Sequence, residues 1–158
     1  MNAAIQRLRA EIDSDRRVFL ARVEELRGLD LGRATPATLA QAAVALHHGY
    51  GAVESALERL ARAIEESSPT GVDRHVALLE AMALDVEGVR PAVLTQESLG
   101  LLRRLLAFRH FFRHAYAVPL AAPRLDRLRE DMLALAPVLE ADLGRLDAHL
   151  AHVAAGAS

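Results

Sequence analysis

The chain has 158 residues, 52% of them hydrophobic and 25% charged, with a formal net charge of -2 and no cysteine. That length and balance predict a single domain, residues 1–158, around one hydrophobic core, and the net charge argues against a protein that coats nucleic acid through bulk positive charge. Without cysteine there is no disulfide framework, thiolate metal site or thiol nucleophile, so a reducing compartment raises no difficulty.

The start, Met1 to Arg7, lacks the basic stretch followed by an apolar run that a secretory signal needs. No window approaches eighteen uninterrupted apolar residues, so no membrane span is expected and the natural location is the cytoplasm. Helix signals recur with punctuation between them, and no long alternation of β-branched residues suggests a sheet. The reading is all-α, an antiparallel bundle of about five helices.

The first helix is predicted from about Asn2 to Arg27, with Ile5, Leu8, Ile12, Phe19, Val23 and Leu26 at helical spacings and Gly28 as its stop. Thr35-Pro36 supplies an N-cap and a first-turn proline for a long second helix that ends near Glu66, before Ser67-Ser68-Pro69-Thr70-Gly71. Its buried stripe is Leu39, Ala43, Leu46, Tyr50, Val53, Leu57, Leu60 and Ile64. A short third helix is expected over about Val72 to Leu84, with Val76, Leu79 and Ala83 inward, followed by a turn through Glu87 to Pro91. Thr95 caps a fourth helix from about Gln96 to Ala117, ended by Pro119, and Pro123 opens a fifth from about Arg124 to Ala151, with a kink expected at Pro137. The tail from Ala154 to Ser158 should fray.

Every basic residue counted as Lys or Arg is arginine. Between Leu101 and Arg129 seven arginines face the single acid Asp126, a local charge of +6, so the remainder of the chain carries -8. Positive charge is gathered on the fourth helix and the start of the fifth, and arginine is the better fork for phosphate.

On a regular fourth helix, Leu101, Leu105, Phe108, Phe112 and Ala115 share one stripe, which faces the core. Arg109, Arg113 and Tyr116 form a second stripe beside it, and His110 and His114, four apart, form a third. An arginine on a helix is ordinarily a solvated or salt-bridged charge, and a lone histidine is ordinarily tolerated packing. Two guanidiniums, two imidazoles and a phenol on neighbouring faces of two turns are a constellation, and they raise the prior for a site.

Arg109, four residues, His114, one residue, Tyr116 resembles the RX4HXY motif of HEPN-domain ribonucleases, in particular the HepT-like toxins paired with a minimal nucleotidyltransferase antitoxin. The resemblance extends through His47, Tyr50, Glu54 and Leu57, then Arg74-His75, Leu78-Leu79 and Met82, to Gly88-Val89-Arg90-Pro91. It covers roughly residues 45–150, while residues 1 to about 40 match only by being a helix. It implies a HEPN-like bundle, a toxin of a type II toxin-antitoxin system, and a homodimer in which two motif helices line one cleft. It also implies that the antitoxin adds AMP to the hydroxyl of Tyr116 and so blocks that cleft; the plainer role for Tyr116 is a packing phenol.

RNA carries its own nucleophile, the 2′-hydroxyl. Cleavage then needs a base, an acid and positive charge on the phosphorane-like transition state, with no metal or cofactor. His114 is assigned as general acid/base and Arg109 as the phosphate and transition-state stabiliser, with His110 and Arg113 assisting. One chain looks like half of an acid–base pair, which favours a cleft built by two copies.

Three other readings compete with this one. A metal shared by His110 and His114, with His47 and His48 as further ligands, lacks the glutamate of the usual helical motif, since Phe111 stands there. A catalytically idle helical module that binds a nucleotidyltransferase is compatible with the composition. A helix-turn-helix is disfavoured by the aromatic character of the fourth helix. His75, His149 and His152 show no partner pattern in the sequence, and His47 and His48 suit one core-edge and one exposed histidine.

Overall fold

The computed structural model describes residues 2–114 and 120–156, with Asn2, Arg113 and His114 described as backbone. Five α-helices carry the chain: α1 (Asn2–Arg27), α2 (Pro36–Ile64), α3 (Arg74–Met82), α4 (Gln96–His114) and α5 (Ala122–Ala154), with a 3-10 turn at Leu31–Arg33 between the first two. Among the described residues there is no strand, only an isolated bridge between Val86 and Arg90. No helix among them is long and apolar enough to cross a membrane.

Local chemistry sets the ends. The Thr35 hydroxyl accepts from the Thr38 amide at the start of α2, where Pro36 sits with no amide to satisfy. Past the C-terminus of α2, Glu66 adopts φ 54, a left-handed conformation that closes the helix. The start of α4 is capped twice, because the Ser98 amide donates to the Thr95 hydroxyl and the Thr95 amide donates to Asp142, a fully buried carboxylate of α5. Arg90, also buried, donates to Glu65 and to the carbonyls of Ala81 and Leu84, satisfying the end of α3 from within the loop that follows it.

Ion pairs between helices report their direction. Arg9 pairs with Asp147 and Arg16 with Glu140, so α1 and α5 are antiparallel. Gln41 reaches Glu25 while Arg59 reaches Asp15, so α1 and α2 are antiparallel too. Arg104 with Asp131, and Thr95 with Asp142, place α4 against α5 in the same sense. Phe19, Leu26, Leu46, Tyr50, Leu79, Leu102, Phe108 and Met132 fill the centre, with every helix contributing to one connected core. α2 runs through the middle, packed on all four other helices.

The observed elements differ from the expected ones in two places. The third helix is shorter and rotated: Val76 is 37% exposed, and the inward residues are His75, Leu78, Leu79 and Met82. Packing chooses that face because His75 has a buried partner on α2, described below. The fifth helix begins earlier, at Ala122, and continues through Pro137 to Ala154. Pro137 is on an exposed position of the helix. The expected extension of the fourth helix to Ala117, its stop at Pro119, the inward placement of Ala115 and the last two residues of the tail lie outside the described residues.

Candidate functional site

Leu101, Leu105 and Phe108 are buried on the core face of α4, and Phe112 is partly buried one turn later. Arg109 follows directly on that stripe, so its side chain enters the junction of α2, α3 and α4 and is 14% exposed. There Arg109 Nη2 lies 3.1 Å from Glu54 Oε1. The other oxygen of the same carboxylate, Oε2, accepts from His75 Nδ1 at 2.6 Å. Glu54 and His75 are each over nine-tenths buried, and a carboxylate so placed is tolerable only because it is shared between two donors.

This sharing fixes the geometry of both partners. With Nδ1 committed to Glu54 as donor, the orientation of the His75 ring is set. Arg109 Nη1 sits 3.4 Å from both His75 ring nitrogens, which places it over the ring face and makes the contact a stack of guanidinium on imidazole. The Tyr50 ring lies on another side, its centroid 5.7 Å from Arg109 Cζ, within the range of a cation–π contact. The Tyr50 hydroxyl is buried with no hydrogen-bond partner among the described residues. Burial, and then the adjacent Glu54 carboxylate, push its ionisation well above the usual phenol range.

Further imidazoles surround this node. His110 is exposed and meets the His75 ring edge-on at 5.6 Å. His47 packs against Phe112 at 5.3 Å and against His48 at 5.7 Å. Arg22, His47, His48 and Arg109 line one open groove of about 550 Å³ between α1 and α2.

Of the residues expected to form the site, Arg109 and His110 are described and stand next to each other around His75. Arg113 and His114 are on the last turn of α4, where their backbone alone is described. Tyr116 lies outside the described residues. Arg109 is held inside the protein, with its outer nitrogens against Glu54 and His75. Sequence reasoning missed Glu54 and His75 as a pair. The signal existed, since Glu54 is an acid within the apolar stripe of α2, directly after Val53 and one turn past Tyr50. An acid on a buried stripe requires a partner, and His75 heads the inward face of α3.

Residues 41–150 match a family model described as "HepT-like protein", which spans more than half of the chain. No curated protein and no solved structure matches.

Proposed function

Since the chain belongs to the HepT-like family, a family of HEPN toxins of the toxin-antitoxin type, we propose that it is a metal-independent endoribonuclease acting as the toxin of such a pair. The observation that carries this reading is the anchoring of Arg109, whose guanidinium is fixed by Glu54, His75 and Tyr50 at the head of a groove lined by two histidines. A transition-state stabiliser works best when its orientation is settled before the reaction begins, and a cation held by a buried carboxylate meets that condition.

The chemistry is transesterification. His114 takes the proton of the 2′-hydroxyl, the 2′-oxygen attacks the adjacent phosphorus, and Arg109 neutralises charge on the non-bridging oxygens. The bond to the 5′-oxygen then breaks, and that oxygen receives a proton from a second acid, leaving a 2′,3′-cyclic phosphate and a 5′-hydroxyl. His110 and Arg113 assist. A homodimer that brings two α4 helices together supplies the second acid from the other copy. Neutralisation by a nucleotidyltransferase that adds AMP to Tyr116 fits the same site, because an AMP phosphate placed near Arg109 and Arg113 competes with the RNA phosphate for the same cations.

The test pairs His114→Ala with Arg109→Lys. Lysine keeps a charge beside Glu54 while losing the planar fork, so Arg109→Lys separates catalysis from burial. Each variant is expected to lower cleavage by about 10²-fold or more with helicity unchanged. Cleavage at the wild-type rate in both would refute the assignment. Products carrying a 2′,3′-cyclic phosphate in the presence of EDTA support the metal-free route. A protein that binds the nucleotidyltransferase yet cleaves no RNA would be the idle interaction module, and intact mass after co-production with that partner reports whether Tyr116 gains an AMP-sized increment.

A further inference from the structure

We infer that the open groove between α1 and α2 is a binding track for the RNA backbone, taking the phosphodiester next to the one cleaved. The inference rests on the ribonuclease reading above and extends it by giving the strand a path away from Arg109. The groove is lined by Arg22 and Val18 from α1, by His47, His48, Gly51 and Ser55 from α2, and by Arg109 at its α4 end. Two guanidiniums, two imidazoles and a hydroxyl are donors or potential donors suited to phosphate oxygens.

The groove's one acid, Asp15, is already held by Arg59 at 2.9 Å and is 15% exposed, so its charge is met from within the fold. Arg22 pairs with Glu25 through Nη1 and remains about a third exposed at 35%. The Nε of Arg22 and that of Arg109 are buried, so it is the exposed third of the Arg22 side chain that meets the groove.

Gly51 lies on the floor of the groove. Gly49 and Gly51 both lie in the interior of α2, where glycine is unfavourable relative to alanine. Packing explains Gly49, since a Cβ there would come within 3.1 Å of Met132 and 3.4 Å of Arg22. Nothing lies within 4 Å of a Cβ at Gly51. A side chain at Gly51 therefore enters the groove without a clash.

Gly51 also supplies the test, because it lies outside the catalytic machinery and tolerates a side chain without strain. Gly51→Ala, Gly51→Glu and Gly51→Arg are compared for binding of a fluorescent single-stranded RNA with 2′-O-methyl groups throughout, which cannot be cleaved for want of the 2′-hydroxyl. Thermal melting first establishes that all three fold. Glutamate on the floor is expected to weaken binding about tenfold, and arginine to tighten it several-fold. The slope of log affinity against log salt is expected to steepen by about 0.7 for arginine, as one more phosphate is contacted. With a cleavable strand, Gly51→Glu raises KM and leaves kcat at saturation.

Equal losses for Glu and Arg, or no change in either, overturn the groove while leaving the ribonuclease reading in place if His114→Ala still abolishes cleavage. A wild-type protein that neither binds nor cleaves RNA overturns both. If Gly51→Glu releases the nucleotidyltransferase partner but binds RNA as wild type does, the groove is a protein-docking surface and the inference fails.

Discussion

At the scale of single residues, Glu54 determines more than Arg109 does. Its carboxylate satisfies Arg109 through one oxygen and His75 through the other, so removing it leaves two donors orphaned at once. Removing Arg109 leaves Glu54 still paired with His75. Glu54→Ala is therefore expected to cost about 3 kcal/mol or more, and Arg109→Ala distinctly less. Urea titration of both variants at neutral pH measures the order, and a larger loss for Arg109→Ala would show that the carboxylate is not the hub. Tyr50 gives an opposite case, a buried hydroxyl without a partner among the described residues. Tyr50→Phe should fold with stability within about 1 kcal/mol of the wild type, since no hydrogen bond is lost. Its ionisation is pushed up in the folded protein by burial, so the neutral phenol's contribution is fully present below the unfolded value of about 10 and is lost as pH rises beyond it. Wild-type stability is expected to fall above about pH 10 more steeply than that of Tyr50→Phe, and identical alkaline limbs in the two urea series would contradict the shift. The arginine of this node was legible from its place in a motif. Its partners were not, because a hydrogen bond between residues 54 and 75 depends on how α3 rotates against α2, and helical periodicity carries no information about that rotation.

At the scale of elements, the five helices were legible where caps and apolar spacing agreed. Thr35-Pro36 marked the start of α2 and Gly28 the end of α1, and both ends were found there. The third helix was misjudged at Val76, which was expected inward yet is 37% exposed. A nine-residue helix buries one narrow stripe, and the buried Glu54–His75 pair outweighs Val76 in choosing it. The close approach of α2 to α1 and α5 was also invisible in the sequence, since a glycine alone does not reveal its neighbours. Gly49 and Gly51 make this measurable within one helix. Gly51→Ala is expected to stabilise by about 0.5–1 kcal/mol through helix propensity. Gly49→Ala gains the same propensity but presses on Met132 and Arg22, and overpacking of about 1–3 kcal/mol turns the sum unfavourable. A urea series in which both substitutions stabilise equally would mean that Met132, whose methyl is the nearest atom, yields without cost.

At the scale of the whole molecule, the question is whether one chain holds a complete site. The sequence suggested half a site, on the ground that the motif helix offers few imidazoles. The structure adds His75 beside Arg109 and His47 and His48 along the groove that ends at Arg109, so imidazoles are not scarce around that residue within one copy. His75 is buried against Glu54 and serves to position; His47 and His48 border open space. The dimer proposal therefore has to be tested by what each copy contributes, since counting histidines does not decide it. Arg109→Lys and His114→Ala subunits, each inactive as a pure dimer, are to be mixed after reversible dissociation. If Arg109 of one copy acts with His114 of the other, a mixed dimer recovers one working pair of two. With mixed dimers forming half of a random population, the mixture should reach about a quarter of wild-type cleavage. If Arg109 and His114 act within the same chain, no mixed dimer contains an intact pair and the mixture stays inactive. Recovery near a quarter places the reacting phosphate between two α4 helices, whereas silence, with mixed dimers shown to form by mass, places it inside one bundle and makes the groove histidines the first candidates for the second acid.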